Sequence, residues 1–296
     1  GVSIAAALQL LNLAATKPHM MPENEDWFAP RTPWPDKFPS VVAHASYHEM
    51  KEHPCYDLAK KGASAAAALT LVTDLLSDET VEQIGEIISD RDVRIVGVHA
   101  QERGGRNKIP LAYAEALAEV LEKDTDPRIV QSVLANHSQA PSIYHRFVSP
   151  PIFDGYVEEN ALYFLVDDTC TAGGTLTNLK GYIETHGGFV VGMSVLAAGR
   201  AGEPYHIALA PETKARLNLK HRALDALFRE EFGYGLESLT EGEAGHLHRA
   251  PSVATIRSRL AEARCDLGFT GSEDADRGTE SSAQQGCDET GGARES

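Results

Sequence analysis

The chain has 296 residues, 42% of them hydrophobic, enough to bury a substantial core in one large α/β domain or two small ones. A net charge of −16, with no basic stripe to meet a phosphate backbone, argues against nucleic-acid binding, so any anionic ligand has to be captured locally. Cys55, Cys170, Cys265 and Cys287 are widely spaced and form no CxxC pair, which indicates neither a zinc site nor a disulfide framework and fits a reduced cytoplasm.

Residues 1–16 are apolar but lack a basic flank and are too short to cross a bilayer, and no other run reaches the roughly 18–20 apolar residues a membrane span needs. With Met20 and Met21 just downstream, the first nineteen residues are expected to lie outside the working domain. Residues 21–40 set Pro22, Pro30, Pro33, Pro35 and Pro39 among Trp27, Phe28, Trp34 and Phe38. Prolines forbid regular structure while the aromatics need burial, so residues 1–40 read as an extension ending in an arm. The arm would pack on its own domain or on a second copy, which leaves a homodimer open.

Residues 41–266 are expected to form the main domain. Residues 41–53 read as a surface helix with packing histidines; His48 and His53 are five apart, not the four of an HExxH zinc site. Helices are expected over 56–76 and 80–88, then a β-branched strand over 93–99. That strand runs into a loop carrying Arg103, Gly104, Gly105, Arg106 and Lys108, whose cations and bare backbone suit an oxyanion; a polar turn is the alternative. Residues 128–135 are expected as the next strand. Residues 136–160 then form a long Pro-containing connection, of the kind that is often a lid.

The most informative stretch is 161–175, ALYFLVDDTCTAGGT, followed by a helical run over 176–186. A buried strand ends in Asp167 and Asp168, then a loop of Thr171, Ala172, Gly173, Gly174 and Thr175 leads into the helix. With little bulk above the backbone, the loop's N–H groups can converge on a phosphate where the helix dipole also favours negative charge. Carboxylates beside a phosphate make sense if they accept from sugar hydroxyls, so the ligand implied is a sugar phosphate. An ordinary strand-to-helix turn with solvent-facing acids is the alternative.

This stretch resembles the signature of the type I phosphoribosyltransferases, and its Thr-Ala-Gly wording is similar to the orotate phosphoribosyltransferase variant. The resemblance implies a mostly parallel central sheet flanked by helices, with a hood and here a helical C-terminal extension. It implies phosphoribosyl pyrophosphate (PRPP) with Mg²⁺ held mainly by substrate rather than by protein ligands, and transfer of the ribosyl group to a nitrogen nucleophile such as a nucleobase. Asp167 and Asp168 would hold the ribose and act in catalysis, and residues 171–175 would hold the 5-phosphate. The Arg103, Gly104, Gly105, Arg106 and Lys108 loop looks like the family's pyrophosphate loop. Ser142, Tyr144, His145 and Arg146 are the lid groups that could reach a pyrophosphate. A non-catalytic, PRPP- or nucleotide-sensing regulator on the same fold is the alternative function.

Beyond the signature, 188–198 reads as a buried strand, 205–209 as an edge strand and 212–232 as one amphipathic helix. Thr240 with Glu243, and Ser252, carry helix-start signals, and the hood is expected in this part. Residues 267–296 turn polar and acidic without an apolar period and read as a disordered tail.

Overall fold

The computed structural model describes residues 31–100, 107–133, 142–199 and 204–268. Strand β1 (Val42–Ser46) hands over to α1 (Tyr47–Glu52) at Ser46, whose hydroxyl accepts from the Glu49 N–H while the Glu49 carboxylate accepts from the Ser46 N–H. The first half of the expected 41–53 helix is therefore a strand. Its reason is long-range: β1 is buried and pairs with a later strand, which no local period announces. The expected 56–76 helix is two, α2 (Tyr56–Lys60) and α3 (Ala65–Leu75), because Ser64 turns extended and caps α3 by accepting from the Ala67 N–H. Then follow α4 (Asp78–Ile88), β2 (Val93–Gly97), α5 (Ile109–Leu121) and β3 (Asp124–Thr125).

Strand β4 (Val130–Val133) corrects another expectation. It lies outside the central sheet, pairing antiparallel with β5 (Ile152–Asp154). Between them, α6 (Ile143–Val148) occupies part of the expected irregular connection. Strand β6 (Leu162–Thr169), helix α7 (Gly174–Thr185) and strand β7 (Phe189–Ala198) match the expected strand, helix and strand. The expected 212–232 helix is broken into α8 (Pro211–Lys220) and α9 (Leu224–Phe232), with the buried His221 leaving helical geometry between them. Residues 205–209 are no strand; Tyr205 and Ala208 make only isolated bridges, to Val41 and Thr240. Helices α10 (Glu241–Arg249) and α11 (Val253–Asp266) start at Thr240 and Ser252, each accepting from a backbone N–H three residues on. The proposed tail beyond residue 268 and the extension before residue 31 lie outside the described residues.

The central sheet has the order β1-β7-β6-β2-β3, every pair parallel, so the chain is α/β with a parallel sheet and flanking helices. Alternate side chains divide between its faces, as a period of two requires. Val93, Ile95, Phe164 and Val166 join a core with α3, α4 and α5, while Val96, Val98, Tyr163 and Leu165 join one with α7. A third cluster gathers α6 with α8 to α11, and Phe147 of α6 meets Phe228 edge-on at 5.1 Å. This cluster is built by α6 and the helices of the C-terminal part of the chain.

One buried polar chain crosses the first core. The Ser77 N–H donates to His44 Nδ1 at 3.0 Å, so the imidazole proton must sit on Nε2, 2.8 Å from the Tyr113 hydroxyl. Tyr113 then donates to Ser194 Oγ at 2.6 Å, and Ser194 to the Val42 carbonyl at 2.9 Å. Burial pushes the His44 imidazole down to about 4, which keeps this relay neutral.

Topology then picks out one place. After β2 the chain moves outward to β3, and after β6 it moves the other way to β7. The two neighbouring strands therefore open a crevice at their carboxyl ends, where parallel α/β sheets bind ligands.

Candidate functional site

Asp167 and Asp168 end β6 on opposite faces of the sheet, and both are buried. Asp168 meets the Lys60 ammonium of α2 and accepts from Asn107 Nδ2 at 2.9 Å. Among the described residues Asp167 makes no ion pair; its Oδ1 accepts the Asp168 N–H at 2.8 Å. Burial, and then the charge of Asp168, raise the Asp167 carboxyl well above the usual carboxylate range. Burial alone would lower Lys60, but Asp168 more than offsets it and the ammonium is held more firmly than in water. Burial pushes the neighbouring Cys170 thiol up to about 12, so it is no nucleophile at neutral pH.

The loop after β6 turns at Gly173, whose φ of 80° lies in the left-handed region that favours glycine. Gly173 caps α7 without a side-chain hydrogen bond, so the cap residue itself does not occupy the first helical amides, the groups that favour an oxyanion. Thr177 Oγ1 returns to the Gly173 carbonyl at 2.8 Å and fixes the turn from behind.

A cavity of about 400 Å³ collects these parts. It is lined by Asp167, Asp168, Thr171, Gly173, Gly174 and Thr175, by His99 and Ala100 beyond β2, and by Lys60, Asn107, Arg146 and Asn178. Most of the expected sugar-phosphate groups thus meet in one place. Ala172 does not: its methyl is buried in the third cluster and its carbonyl accepts from Thr240 Oγ1 at 2.5 Å. Lys108 is outside the cavity wall too, standing at the N-cap of α5, and Asn107 takes the place next to Asp168. Arg103, Gly104, Gly105 and Arg106 lie outside the described residues.

Of the four lid groups, Arg146 alone lines the cavity, its Nη1 donating to Thr171 Oγ1 at 2.7 Å. Tyr144 and His145 face the C-terminal helices, because α6 is packed there, and Ser142 is exposed at the α6 N-cap. Ser142 pairs with His145 at 2.8 Å, His145 reaches Asp266 of α11 at 3.1 Å, and the buried Tyr144 accepts from Arg259. Sequence reasoning missed Lys60, Asn107, His99 and Asn178. His99 Nδ1 lies 2.8 Å from the Gly97 carbonyl and so carries its proton there, while burial lowers the imidazole and favours its neutral form.

Among the described residues no three His, Cys, Asp or Glu side chains converge to hold a metal ion. The cavity instead offers two carboxylates beside a row of donors, which suits a hard cation only if the ligand's own oxygens complete its shell. No helix among the described residues is long and apolar enough to cross a membrane.

No protein-family model matches the chain. It is 45% identical over 237 residues to Protein TraN of Escherichia coli, a match that covers 80% of this chain and 52% of TraN. An uncharacterized protein of Haemophilus influenzae is 37% identical over 153 residues, 52% of this chain and 34% of that protein. The chain therefore spans about half of the first relative and a third of the second. The solved structure of Leishmania donovani UMP synthase aligns with 67% of this chain and 33% of its own, at 13% identity and a TM-score of 0.27.

Proposed function

We propose that this chain is a phosphoribosyltransferase of the type I kind, binding PRPP at the carboxyl ends of β2 and β6 and transferring its ribosyl group to a ring nitrogen of a small acceptor such as a nucleobase. One observation carries the reading: the twin acids and the glycine helix start line a single cavity at the sheet's switch point. A phosphate suits the amides of residues 173–175, and sugar hydroxyls suit the carboxylates.

The reaction breaks the bond between ribose C1 and pyrophosphate through a transition state with positive charge on the sugar. Asp167 and Asp168 orient the ribose through its hydroxyls, and their charge opposes its separation from the site. Lys60 holds Asp168 before the sugar arrives and stands close enough to turn to a ligand oxyanion afterwards. Arg146, anchored at the mouth by Thr171, is placed to hold the departing pyrophosphate. Mg²⁺ would be held mainly by the substrate, with Asp167 and Asp168 as the nearby carboxylates, and would supply positive charge against the leaving group. The third cluster, which buries Ala172 of the loop, would keep bulk water from that side of the cavity.

The test is pyrophosphate release when the protein is mixed with PRPP, Mg²⁺ and a panel of nucleobases. Release with at least one base, abolished in the Asp167→Asn, Asp168→Asn double variant, is the expected result. PRPP binding without release for any base would assign a sensing role instead, and no binding would remove the proposal.

A further inference from the structure

Asn178, which lines the cavity beside the Gly173 turn, is held by two side chains from distant parts of the chain, Arg31 and Glu243. Arg31 of the arm donates through Nη1 and Nη2 to the two Glu243 oxygens at 2.7 and 2.9 Å, and through Nε to Asn178 Oδ1 at 2.7 Å. Their exposures are 6% for Arg31, 1% for Glu243 and 2% for Asn178. A guanidinium has no acceptor, so the Asn178 amide must turn its oxygen to Arg31 and its nitrogen away. That nitrogen has no hydrogen-bond partner among the described residues, although Asn178 lines the cavity beside Gly173 and Gly174. A buried amide donor without a partner is costly, and native structures keep few of them without a purpose.

We propose that Asn178 Nδ2 is a fixed donor to an oxyanion of the ligand seated on the α7 N-terminus, with Arg31 as its positioning residue. The inference rests on the reading that a phosphorylated ligand occupies this cavity. The groups around the turn agree on the ligand's chemistry. The first amides of α7 are donors, the Asn178 nitrogen is a donor, and the group that satisfies donors from two directions is an acceptor with several oxygens, a phosphate. Glu243 cancels the Arg31 charge, so the ligand meets a neutral, oriented amide rather than a mobile cation.

Two further features fit this use. An ideal Cβ at Gly174 would lie 3.1 Å from Glu243 Oε1 and 3.4 Å from Arg31 Nη2, so glycine there lets the turn sit directly on the pair that holds Asn178. The arm is also fastened elsewhere: the Trp34 indole N–H donates to the Leu239 carbonyl at 2.7 Å, and Arg31 lies 5.1 Å over the Tyr234 ring. Arg31 is thus held in place before any ligand binds. The arm becomes part of the binding site through one hydrogen bond.

The experiment is calorimetric titration of inorganic phosphate and of PRPP into the full chain, for wild type, Asn178→Asp and Asn178→Ser, at about pH 5.5 and about pH 8, on either side of the second phosphate ionisation of both ligands. Asn178→Asp keeps the shape and the bond from Arg31 while replacing the free donor by an acceptor. Its binding should fall about tenfold or more, and the deficit should widen at the higher pH as the phosphate becomes a dianion facing a carboxylate. Asn178→Ser should lose affinity at both pH values without that widening, and it carries the test if the aspartate variant fails to fold. Phosphate affinity unchanged in both variants, or an equal deficit for Asn178→Asp at the two pH values, overturns the inference, since a merely structural role would be blind to the ligand's charge. Phosphate bound with this dependence but no preference for PRPP upholds Asn178 and removes the phosphoribosyl reading. PRPP bound alike by all three proteins removes Asn178 and keeps that reading.

Discussion

Two ion pairs near the cavity differ in their exposure: Lys60–Asp168 lines it, and Arg31–Glu243 lies behind Gly174 and Asn178. Lys60–Asp168 is at the open side, with the lysine side chain 32% exposed, whereas in Arg31–Glu243 the side chains are 2% and 1% exposed. The first can open, Lys60 turning to a ligand oxyanion or to water while Asn107 still donates to the buried Asp168. The second cannot, because removing either member leaves a charge with nothing to solvate it. The difference divides the site into a part that reacts to ligand and a part that must hold still. It also puts the arm, remote in sequence, on the side that holds still.

Breaking the sealed pair should have the largest effect. Arg31→Met strands the Glu243 carboxylate and frees the Asn178 amide, and should cost about 3–5 kcal/mol of stability in denaturant unfolding. Adding Glu243→Gln should recover a large part of that loss. Equal destabilisation in the single and double variants would show that packing of the arm, not the buried charge, is what the pair supplies.

The acids at the open side are expected to behave in the opposite sense. Asp167 has a raised carboxyl pKa, so the folded state holds its proton more tightly than the unfolded chain does. Its contribution to stability is fully present below the unfolded value and is lost as pH rises toward the folded one. At neutral pH, Asp167→Asn should therefore raise the melting temperature, by ~2–4 °C for each kcal/mol relieved, and the gain should shrink toward pH 4. A lower melting temperature at neutral pH would mean that Asp167 is satisfied in the free protein and is not kept for a ligand. The smallest change belongs to Lys60→Gln: the glutamine amide and Asn107 can still donate to the buried Asp168 and water reaches the half-open lysine position, so the stability loss should be smaller than for Arg31→Met while PRPP affinity falls. A large stability loss there would erase the contrast between the two pairs.

How much of this was legible in the sequence follows the same division. The strand, acids, glycine turn and helix of 161–185 are contiguous, and a buried run followed by small residues announces them. The capping signals at Thr240 and Ser252 are local too, and they are found in place. Lys60, Asn107, Arg31 and Asn178 carry no such mark. Lys60 is 108 positions from Asp168 and Arg31 is 212 from Glu243, so only the folded sheet brings them together. Strand β1 was read as helix because five residues interrupted by a histidine show no period, and its burial comes from β7. Three of the four lid groups lie away from the cavity lining for a related reason. Their helix is short, and its apolar face, with Phe147 against Phe228, turns Tyr144 and His145 to α11 and leaves Arg146 at the cavity.

The central claim is positional: a phosphorylated ribose sits between the twin acids and the start of α7. Amide chemical shifts recorded during a titration with ribose 5-phosphate test it most directly. The account predicts saturable shifts at Gly173, Gly174, Thr175 and Asp168, with the amides of β3 on the far edge of the sheet unmoved. Saturable shifts confined to other parts of the chain, or none at those four positions at millimolar ligand, would contradict it.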